Sequence, residues 1–228
     1  MLTCDHLTKK YLTATAVSDL TLSIPRGRVY ALLGPNGSGK TTLMKMAAGL
    51  VKPTGGALAF EGAPIGPSSK ARIAYMPTEG YFFSYMTGAD VGAYYEDFFP
   101  DFDRARYLEM LDQMQLPAKT RVKHLSSGML AKLKLAATLA RDSELVMLDE
   151  PLNGIDIIAR DQVIEAIKSR ISPERTFLLS SHLVDELERI VDYAVFMKSG
   201  SSVLEGPAEA LRDEHGKSLV ELYKEIYA

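Results

Sequence analysis

The feature that most constrains the fold of this chain is a glycine-rich segment between an apolar run and a helical pattern. Residues Val29 to Leu33 form a continuous apolar run of strand length. The run ends at Gly34-Pro-Asn-Gly-Ser-Gly-Lys-Thr41, which fits the phosphate-loop pattern G-x-x-x-x-G-K-[ST]. A helix is predicted from Lys40 to Ala48. A strand, a glycine-rich turn and a helix in this order predict an α/β protein that binds a nucleotide.

Each part of this segment has a physical role in holding a triphosphate. Gly37 and Gly39 let the backbone turn so that successive N–H groups point inward at phosphate oxygens. The predicted helix adds the partial positive charge of its N-terminus. Lys40 can reach the terminal phosphates, and the Thr41 hydroxyl can ligate Mg²⁺. The candidate ATP-binding residues of the segment are Gly34, Asn36, Gly37, Ser38, Gly39, Lys40, Thr41 and Thr42.

Two carboxylates follow a second run that is typical of a buried strand. The run Leu145 to Leu148 delivers Asp149 and Glu150 to its C-terminal end, the edge of a parallel sheet where ligands bind. Asp149 is placed to hold magnesium, directly or through water. Glu150 can act as a general base or orient a water that attacks the γ-phosphate. A surface turn before Pro151 is the alternative, but the phosphate loop earlier in the chain favours the catalytic interpretation.

The remaining pattern divides the chain into a core with strands and a helical insertion. Short apolar runs separated by helical stretches predict a parallel sheet covered on both faces. The further runs of this kind are Arg72–Met76, Thr176–Leu179 and Ala194–Met197. Helical periodicity dominates from Tyr81 to about Asp142. We therefore expect a single domain over residues 1–228, with an α/β core at about 1–80 and 143–228 and a helical subdomain at about 81–142.

Composition excludes several other classes of protein. Lys and Arg number 26 against 29 Asp and Glu, so the net charge is −3 and no basic face for nucleic acid is expected. Cys4 is the only cysteine, which excludes an intramolecular disulfide and a multi-cysteine metal site. No apolar run approaches the roughly 18 residues of a bilayer crossing, and the N-terminus lacks a signal-peptide pattern. We expect a cytoplasmic protein without a nucleic-acid partner.

A segment with two serines and a glycine, Leu125-Ser-Ser-Gly-Met129, lies between the phosphate loop and the acidic pair. Together the three motifs resemble the ATP-binding-cassette family, the nucleotide-binding domains of membrane transporters, whose signature is usually L-S-G-G-Q. The resemblance covers essentially the whole chain. It implies a P-loop NTPase core with a mostly parallel sheet, an N-terminal antiparallel β part and an inserted helical subdomain.

The same resemblance implies that Ser126 and Gly128 face the ATP held by the other subunit. A serine hydroxyl, a bare glycine N–H and the positive end of a helix suit that contact. Ser127 and Met129 depart from the usual signature. Ser127 keeps a small side chain, which preserves close approach, whereas Met129 lacks the glutamine amide.

Three further positions take roles from the resemblance. Ser181-His182 resembles the switch histidine of the family, whose neutral imidazole can donate to the γ-phosphate. Asn153-Gly-Ile-Asp156 resembles a segment that crosses between subunits, and Asp156 would help couple the two sites. Tyr11 stands where the family commonly stacks an aromatic ring on adenine. The alternative is that Tyr11 only packs in the fold.

One candidate metal ligand departs from the family pattern. The family usually has a glutamine after a strand where this chain reads Tyr75-Met-Pro-Thr-Glu-Gly80. Thr78 aligns best with that glutamine and is the candidate Mg²⁺ ligand beside Thr41 and Asp149. Glu79 is the alternative, although the triphosphate would repel its negative charge unless magnesium screens it. The departure leaves reduced or differently gated hydrolysis open.

The resemblance also implies partners. The chain carries one copy of each motif, so a complete ATP site requires a second copy of the chain or a homologous cassette in a head-to-tail dimer. A transmembrane permease subunit is the other expected partner, with the cassette peripheral on the inner face of the cell membrane. Nine of the 19 aromatic residues lie between Tyr81 and Phe102, more than a small subdomain can bury. We expect these aromatics to line a socket that receives a helix of the permease, and polar substitutions of Phe82 and Phe83 should abolish that assembly.

The expected function is Mg²⁺-dependent ATP hydrolysis by a subunit that drives a separate transmembrane protein, with Glu150 and His182 as catalytic residues. The Thr78-Glu79 departure and the short segment after Gly206-Pro207 favour the exporter branch. The alternative is a soluble cassette ATPase that acts in an assembly process without a membrane partner. A signalling GTPase shares the phosphate loop but should carry a base-reading N-K-x-D segment, which this sequence lacks.

Overall fold

Ten strands carry the architecture, and the computed structural model describes all of residues 1–228. In chain order the strands are β1 (Leu2–Tyr11), β2 (Ala14–Ile24), β3 (Val29–Leu33), β4 (Gly55–Phe60), β5 (Ala63–Pro64), β6 (Ile73–Met76), β7 (Leu145–Asp149), β8 (Thr176–Ser181), β9 (Tyr193–Lys198) and β10 (Ser201–Pro207). They form an antiparallel N-terminal sheet in the order β2-β1-β4-β5 and a six-stranded sheet in the order β10-β9-β3-β8-β7-β6. In the second sheet only β10 runs antiparallel to its neighbour. The predicted α/β class, with a mostly parallel core sheet and an antiparallel N-terminal part, is confirmed.

Nine helices connect and cover the sheets. They are α1 (Lys40–Ala47), α2 (Pro67–Arg72), α3 (Gly88–Phe98), α4 (Arg104–Gln113), α5 (Ser127–Leu139), α6 (Ile157–Lys168), α7 (Val184–Leu187), α8 (Ala208–His215) and α9 (Leu219–Tyr227), with a short 3₁₀ turn at Val122–His124. Helices α3 to α5 occupy the chain between β6 and β7. None of the helices has both the length and the apolar character that a bilayer crossing requires.

Strands β3, β7 and β8 lie in the middle of the six-stranded sheet and are buried along their whole length. Successive residues point to opposite faces, so Val29 and Ala31 belong to one core cluster, whereas Tyr30 and Leu32 belong to the other. Because both faces are covered, these strands appear in the sequence as continuous apolar runs without alternation. The carboxyl ends of these parallel strands meet at one edge, where the polar site residues begin.

Two element boundaries differ from the sequence expectation. Arg72 ends α2, and β6 begins only at Ile73. Residues 81–86 are not helical, although helical periodicity was expected from Tyr81 onward. Helix α3 begins after Thr87 because a capping box fixes its start: the N–H of Asp90 donates to Thr87 Oγ1 at 3.2 Å, and the N–H of Thr87 donates to the Asp90 carboxylate at 2.8 Å.

Candidate nucleotide-binding site

The phosphate-loop segment turns sharply between β3 and α1, and two of its glycines carry the turn. Gly39 has φ 106°, and a Cβ at this position would lie 2.4 Å from the carbonyl oxygen of Ala16 on β2. Gly37 has φ 83°, and its Cβ position is open. Both angles fall in the left-handed region that favours glycine. The loop therefore packs its backbone against β2 in a shape that other residues would strain.

Lys40 is a buried cation at the start of α1. Its side chain is 5% exposed, and Nζ donates to the carbonyl oxygens of Gly34 at 2.6 Å and Pro35 at 3.2 Å. Nζ also lies 3.5 Å from Oε1 of Glu150. Burial lowers the pKa of Lys40, and the nearby Glu150 carboxylate partly opposes that shift. The two carbonyl oxygens thus hold the ammonium group over the loop, and an anion there would stabilise its charge.

Asp149 ends β7, and its carboxylate accepts hydrogen bonds from four hydroxyl groups. Thr41 Oγ1 donates to Oδ1 at 3.1 Å, and Thr78 Oγ1 donates to Oδ2 at 3.0 Å. Ser180 on the neighbouring strand β8 donates to Oδ1, and the Tyr75 hydroxyl on β6 donates to Oδ2 at 3.3 Å. Burial, followed by the charge of Asp149, raises the pKa of Tyr75. Asp149 itself is 0% exposed, so its carboxylate is oriented before any ligand binds.

Glu150 has an unusual backbone and an incompletely bonded carboxylate. Its φ is 51°, and its N–H donates to the carbonyl oxygen of Ser180 at 3.1 Å and to its Oγ at 3.0 Å. Oε2 lies 2.9 Å from Nδ1 of His182, whereas the buried Oε1 has no hydrogen-bond partner. The backbone strain is therefore compensated by bonds to β8, and one carboxylate oxygen stays free for a further partner.

These groups surround one cavity of about 360 Å³. It is lined by Ala16, Asn36, Gly37, Ser38, Gly39, Lys40, Thr41, Thr42, Thr78, Glu150, Asn153 and His182. Asp149 accepts hydrogen bonds from two of the lining residues, Thr41 and Thr78. The structure thus brings together most of the residues that the sequence selects, at the carboxyl edge of the parallel sheet.

The atoms around this cavity fit a magnesium–triphosphate group. The buried Ser38 Oγ has no hydrogen-bond partner, and neither has Glu150 Oε1. Thr41, Thr78 and Asp149 offer the oxygen ligands that Mg²⁺ prefers. No cluster of three or more His, Cys, Asp or Glu side chains is placed to hold a metal without help. Phosphate and water oxygens would complete the shell of a magnesium ion held at these residues.

Six of the sequence-selected residues do not line this cavity. Gly34 and Asp149 accept hydrogen bonds from residues that line it, whereas the other four have different neighbours. Ser126 caps α5, where its Oγ accepts from the N–H of Met129 at 3.2 Å, and Gly128 packs in the first turn against Gly154. Asp156 caps α6 by accepting from the N–H of Ala159 at 3.0 Å. Tyr11 ends β1, and it is 43% exposed with the Lys9 ammonium 4.9 Å from its ring centre. None of the four contacts the phosphate loop cavity within one chain.

Glu79 does not line the cavity. Its carboxylate accepts from the Lys45 ammonium at 2.7 Å, and its side chain is 61% exposed. That hydrogen bond is the main cause of the lowered pKa of Glu79. Of the two alternatives, Thr78 is therefore the residue whose side chain reaches the cavity.

The aromatic residues between Tyr81 and Phe102 divide into packed and exposed groups. The packed group, which is buried or lies against the larger core cluster, consists of Phe82, Tyr95, Phe99 and Phe102. The exposed group consists of Tyr81, Phe83, Tyr85, Tyr94 and Phe98. Tyr81 and the packed Tyr95 and Phe99 also border an apolar groove of about 340 Å³ whose lining includes Leu50 and Ile73. Of the two residues chosen for substitution in the expected socket, Phe82 is partly buried against the core, whereas Phe83 is exposed.

Ser180 and Tyr75 are site residues that sequence reasoning missed. Both bond to Asp149 from the strands on either side of β7. The signal that points to them is a polar group near the C-terminal end of an apolar strand, Ile73-Ala-Tyr-Met76 in one case and Thr176-Phe-Leu-Leu-Ser-Ser181 in the other. That signal becomes specific only when the strand order is known.

Comparisons with known proteins agree on one family. A model of the family described as ABC transporter matches residues 17–153. The Nod factor export ATP-binding protein I of Cupriavidus pinatubonensis is 33% identical over 224 residues, which cover 94% of this chain and 69% of that protein. The lantibiotic transport ATP-binding protein SrtF of Streptococcus pyogenes is 33% identical over 207 residues, which cover 90% of each protein. The chain spans only about 60% of the length of some other relatives.

A solved structure described as the ATP binding subunit of an ABC transporter has the same fold. It superposes with a TM-score of 0.87 at 26% sequence identity. The superposition covers 99% of this chain and 98% of that one. The similarity therefore includes both sheets and the helices between β6 and β7.

Proposed function

This chain belongs to the ABC transporter family as an ATPase cassette, and we propose that it hydrolyses ATP to power a separate transmembrane protein. The main support for this proposal is that Lys40, Glu150 and His182 line the same cavity at the phosphate loop. The three residues come from three different elements. A cation that stabilises phosphate charge and a carboxylate that can orient the attacking water are groups that serve phosphoryl transfer to water, and the imidazole lies beside them.

Binding is the part of the mechanism assigned to the phosphate loop. The N–H groups from Gly37 to Thr42 would bind phosphate oxygens at the positive end of α1. Lys40 would exchange its carbonyl partners for the terminal phosphates. Burial disfavours the charged form of Lys40 and so lowers its pKa, and the negative charge of the phosphates would stabilise that form. Thr41, Asp149 and Thr78 would hold Mg²⁺, which when bound neutralises phosphate charge and polarises the reacting bond.

Hydrolysis is assigned to Glu150 and His182. Glu150 Oε2 is oriented by His182 at 2.9 Å, so the free Oε1 is available to accept a proton from the attacking water. The water oxygen forms a bond to the γ-phosphorus as the bond to the β-phosphate oxygen breaks, which yields ADP and inorganic phosphate. His182 is 39% exposed at the cavity wall. Because a neutral imidazole has a single N–H, its ring would donate to the γ-phosphate in exchange for its bond to Glu150.

The experiment that tests this assignment replaces Glu150 with glutamine. We expect Glu150→Gln to lower the ATPase rate by about 10²- to 10³-fold, because it removes the base while keeping the shape. ATP binding should remain, since the phosphate loop is unchanged. Glu165→Gln, at a side chain that is 70% exposed on α6, is the matched control and should hydrolyse ATP normally. An unchanged rate in Glu150→Gln would contradict the assignment.

A head-to-tail dimer is the second part of the proposal. Ser126 and Gly128 do not line the cavity of their own chain, so a single chain surrounds the triphosphate from one side only. A second copy or a homologous cassette would supply the N-terminus of its α5 to the other side. The Glu150→Gln protein should then form a dimer in ATP by size-exclusion chromatography. The ATPase rate per molecule should also fall on dilution, and a constant rate over a wide range would argue against the dimer.

The transmembrane partner is the third part. The apolar groove next to Tyr81 and the exposed pair Phe83 and Tyr85, whose ring centres are 5.5 Å apart, support a docking surface for a helix of a membrane subunit. The cassette would then be peripheral on the inner face of the membrane. The names of the two relatives, which refer to Nod factor export and lantibiotic transport, support an export role.

Docking can be tested with Phe83→Ser, because this exposed ring contributes little to folding. We expect Phe83→Ser to lose co-purification with the membrane fraction while it keeps ATP binding. Val203→Ser, at a side chain that is 50% exposed on β10, is the control and should stay with the membrane. Recovery of the unaltered protein only with soluble partners would favour the alternative, an assembly ATPase without a membrane subunit.

A further inference from the structure

Lys134 is a buried cation that the mechanism above does not use. It lies in the second half of α5, and only 5% of its surface is exposed. Burial lowers the pKa of its ammonium group, and the charges of Glu79 and Asp149 oppose that shift. Burying a charge costs free energy unless hydrogen bonds compensate it, so the partners of Lys134 show which part of the fold it stabilises.

The Lys134 ammonium bonds to three consecutive backbone carbonyls. Nζ donates to the carbonyl oxygen of Pro77 at 2.7 Å, to that of Thr78 at 2.8 Å and to that of Glu79 at 3.4 Å. Hydrogen bonds with one charged partner are stronger than those between neutral groups. Lys134 therefore fixes the segment that follows β6 to the side of α5.

The segment that Lys134 holds is the metal end of the nucleotide site. The side chain of Thr78 reaches Asp149 at 3.0 Å, while its backbone carbonyl accepts from Lys134. On the opposite side, Lys45 of α1 pairs with the Glu79 carboxylate at 2.7 Å. The segment is thus held by one lysine from α1 and by another from α5, with Thr78 between them.

Helix α5 connects this segment to the surface proposed to meet the second cassette. Ser126 caps the N-terminus of α5, and Lys134 lies about two turns further along the same helix. A second cavity, of about 200 Å³, is bordered by Lys134, Thr78 and Glu150. A shift of α5 would therefore carry the bonded carbonyls with it and move Thr78 relative to Asp149.

We propose that Lys134 is a positioning residue that sets the location of Thr78 at the magnesium end of the ATP site. Through Lys134, the position of Thr78 as a magnesium ligand depends on the position of α5. Lys134 acts through the backbone of residues 77–79 and does not touch the nucleotide. The inference rests on the proposed ATPase function, because that function supplies the role of Thr78 as a metal ligand.

The test compares two lysines on the same helix. Lys132 also donates to a backbone carbonyl, that of Met114 at 3.1 Å, and to Gln162 at 3.0 Å, on the side of α5 away from Thr78. Binding of a fluorescent ATP analogue is titrated with Mg²⁺ for the unaltered protein, Lys134→Met and Lys132→Met. We expect Lys134→Met to weaken the apparent Mg²⁺ affinity about 10-fold, as loss of outer-shell partners does. ATP binding without Mg²⁺ should stay unchanged, and Lys132→Met should match the unaltered protein in both measurements.

Rescue and folding controls complete the test. Lys134→Arg keeps the cation and its N–H donors and should recover part of the Mg²⁺ affinity. If circular dichroism shows that Lys134→Met is unfolded, Lys134→Gln, which retains an amide donor, takes its place in the same titration. Equal Mg²⁺ affinity in the unaltered and substituted proteins, or an equal loss of ATP binding with and without Mg²⁺, would overturn the inference. Failure of the unaltered protein to hydrolyse ATP would instead count against the proposed function, since the Mg²⁺ titration measures binding alone.

Discussion

The two surfaces that would enclose ATP in a dimer are built in different ways. On the phosphate-loop face, which comprises the loop, Asp149 and Glu150, the Lys40 and Asp149 side chains are buried and hydrogen-bonded within the chain, and the Glu150 carboxylate contacts His182. On the signature face, which comprises residues 126–128 at the start of α5, Ser126 is exposed and its Oγ accepts one hydrogen bond from its own helix. The first face is organised before a ligand arrives, whereas the second needs a partner to acquire a binding role. Substitutions on the two faces should therefore separate ATP binding from dimer-dependent hydrolysis.

The largest expected difference between the two faces is in ATP affinity, when one glycine on each face is replaced by alanine. Gly39→Ala should lower ATP affinity about 100-fold, or roughly 3 kcal/mol, because φ is 106° and the new Cβ would lie 2.4 Å from the Ala16 carbonyl oxygen. Gly128→Ala should leave ATP binding to the single chain intact, because Gly128 is helical and its close contact, 2.9 Å, is with Gly154. Isothermal titration calorimetry with ATP measures the difference. Equal losses of affinity in the two variants would break the comparison.

A smaller effect is expected from removing a cap hydroxyl. Ser126→Ala and Ser218→Ala each remove a serine that caps a helix through a bond of 3.2 Å, so each should cost about 1 kcal/mol in the free energy of unfolding. Only Ser126→Ala should also lower the ATPase rate, by about 10-fold, because it alone lies on the signature face. Urea unfolding and steady-state ATPase assays measure the two quantities. A similar drop in rate for Ser218→Ala would show that helix stability, and not the signature face, causes the loss.

The smallest effect concerns the pH dependence of stability on the phosphate-loop face. Burial lowers the pKa of Lys40 in the folded chain, whereas the unfolded chain keeps a value of about 10.4. Between these two values the unfolded state binds more protons, so the contribution of Lys40 to stability rises with pH through that window and is constant above it. The free energy of unfolding of the unaltered protein should therefore rise relative to that of Lys40→Met as the pH approaches about 10.4.

Urea unfolding of both proteins between about pH 7 and 10 measures this change. Ser126→Ala, which alters no titratable group on the signature face, provides the control and should keep a constant difference from the unaltered protein. A difference between the unaltered protein and Lys40→Met that does not vary with pH would mean that the loop leaves the Lys40 ammonium well solvated.

Sequence reasoning located the elements of the site but not all of their neighbours. The strand that ends at Leu33, the loop after it and the acidic pair after Leu148 were predictable, because each is a local pattern of apolar and turn-forming residues. The convergence on Asp149 of Tyr75, Thr78 and Ser180 was only partly predictable. It depends on β7 lying between β6 and β8, and strand order is not written in any one segment.

The sequence by itself determined the phosphate cradle, since its glycines, its lysine and its threonine act through their own backbone and immediate neighbours. Only the tertiary structure decided that Thr78 rather than Glu79 reaches Asp149, and that Lys134 bonds to the carbonyls beside Thr78. It also decided that Ser126 lies outside the cavity of its own chain. These contacts join residues far apart in the sequence, so they depend on which strands and helices pack together, and the register of the folded sheet sets the distances.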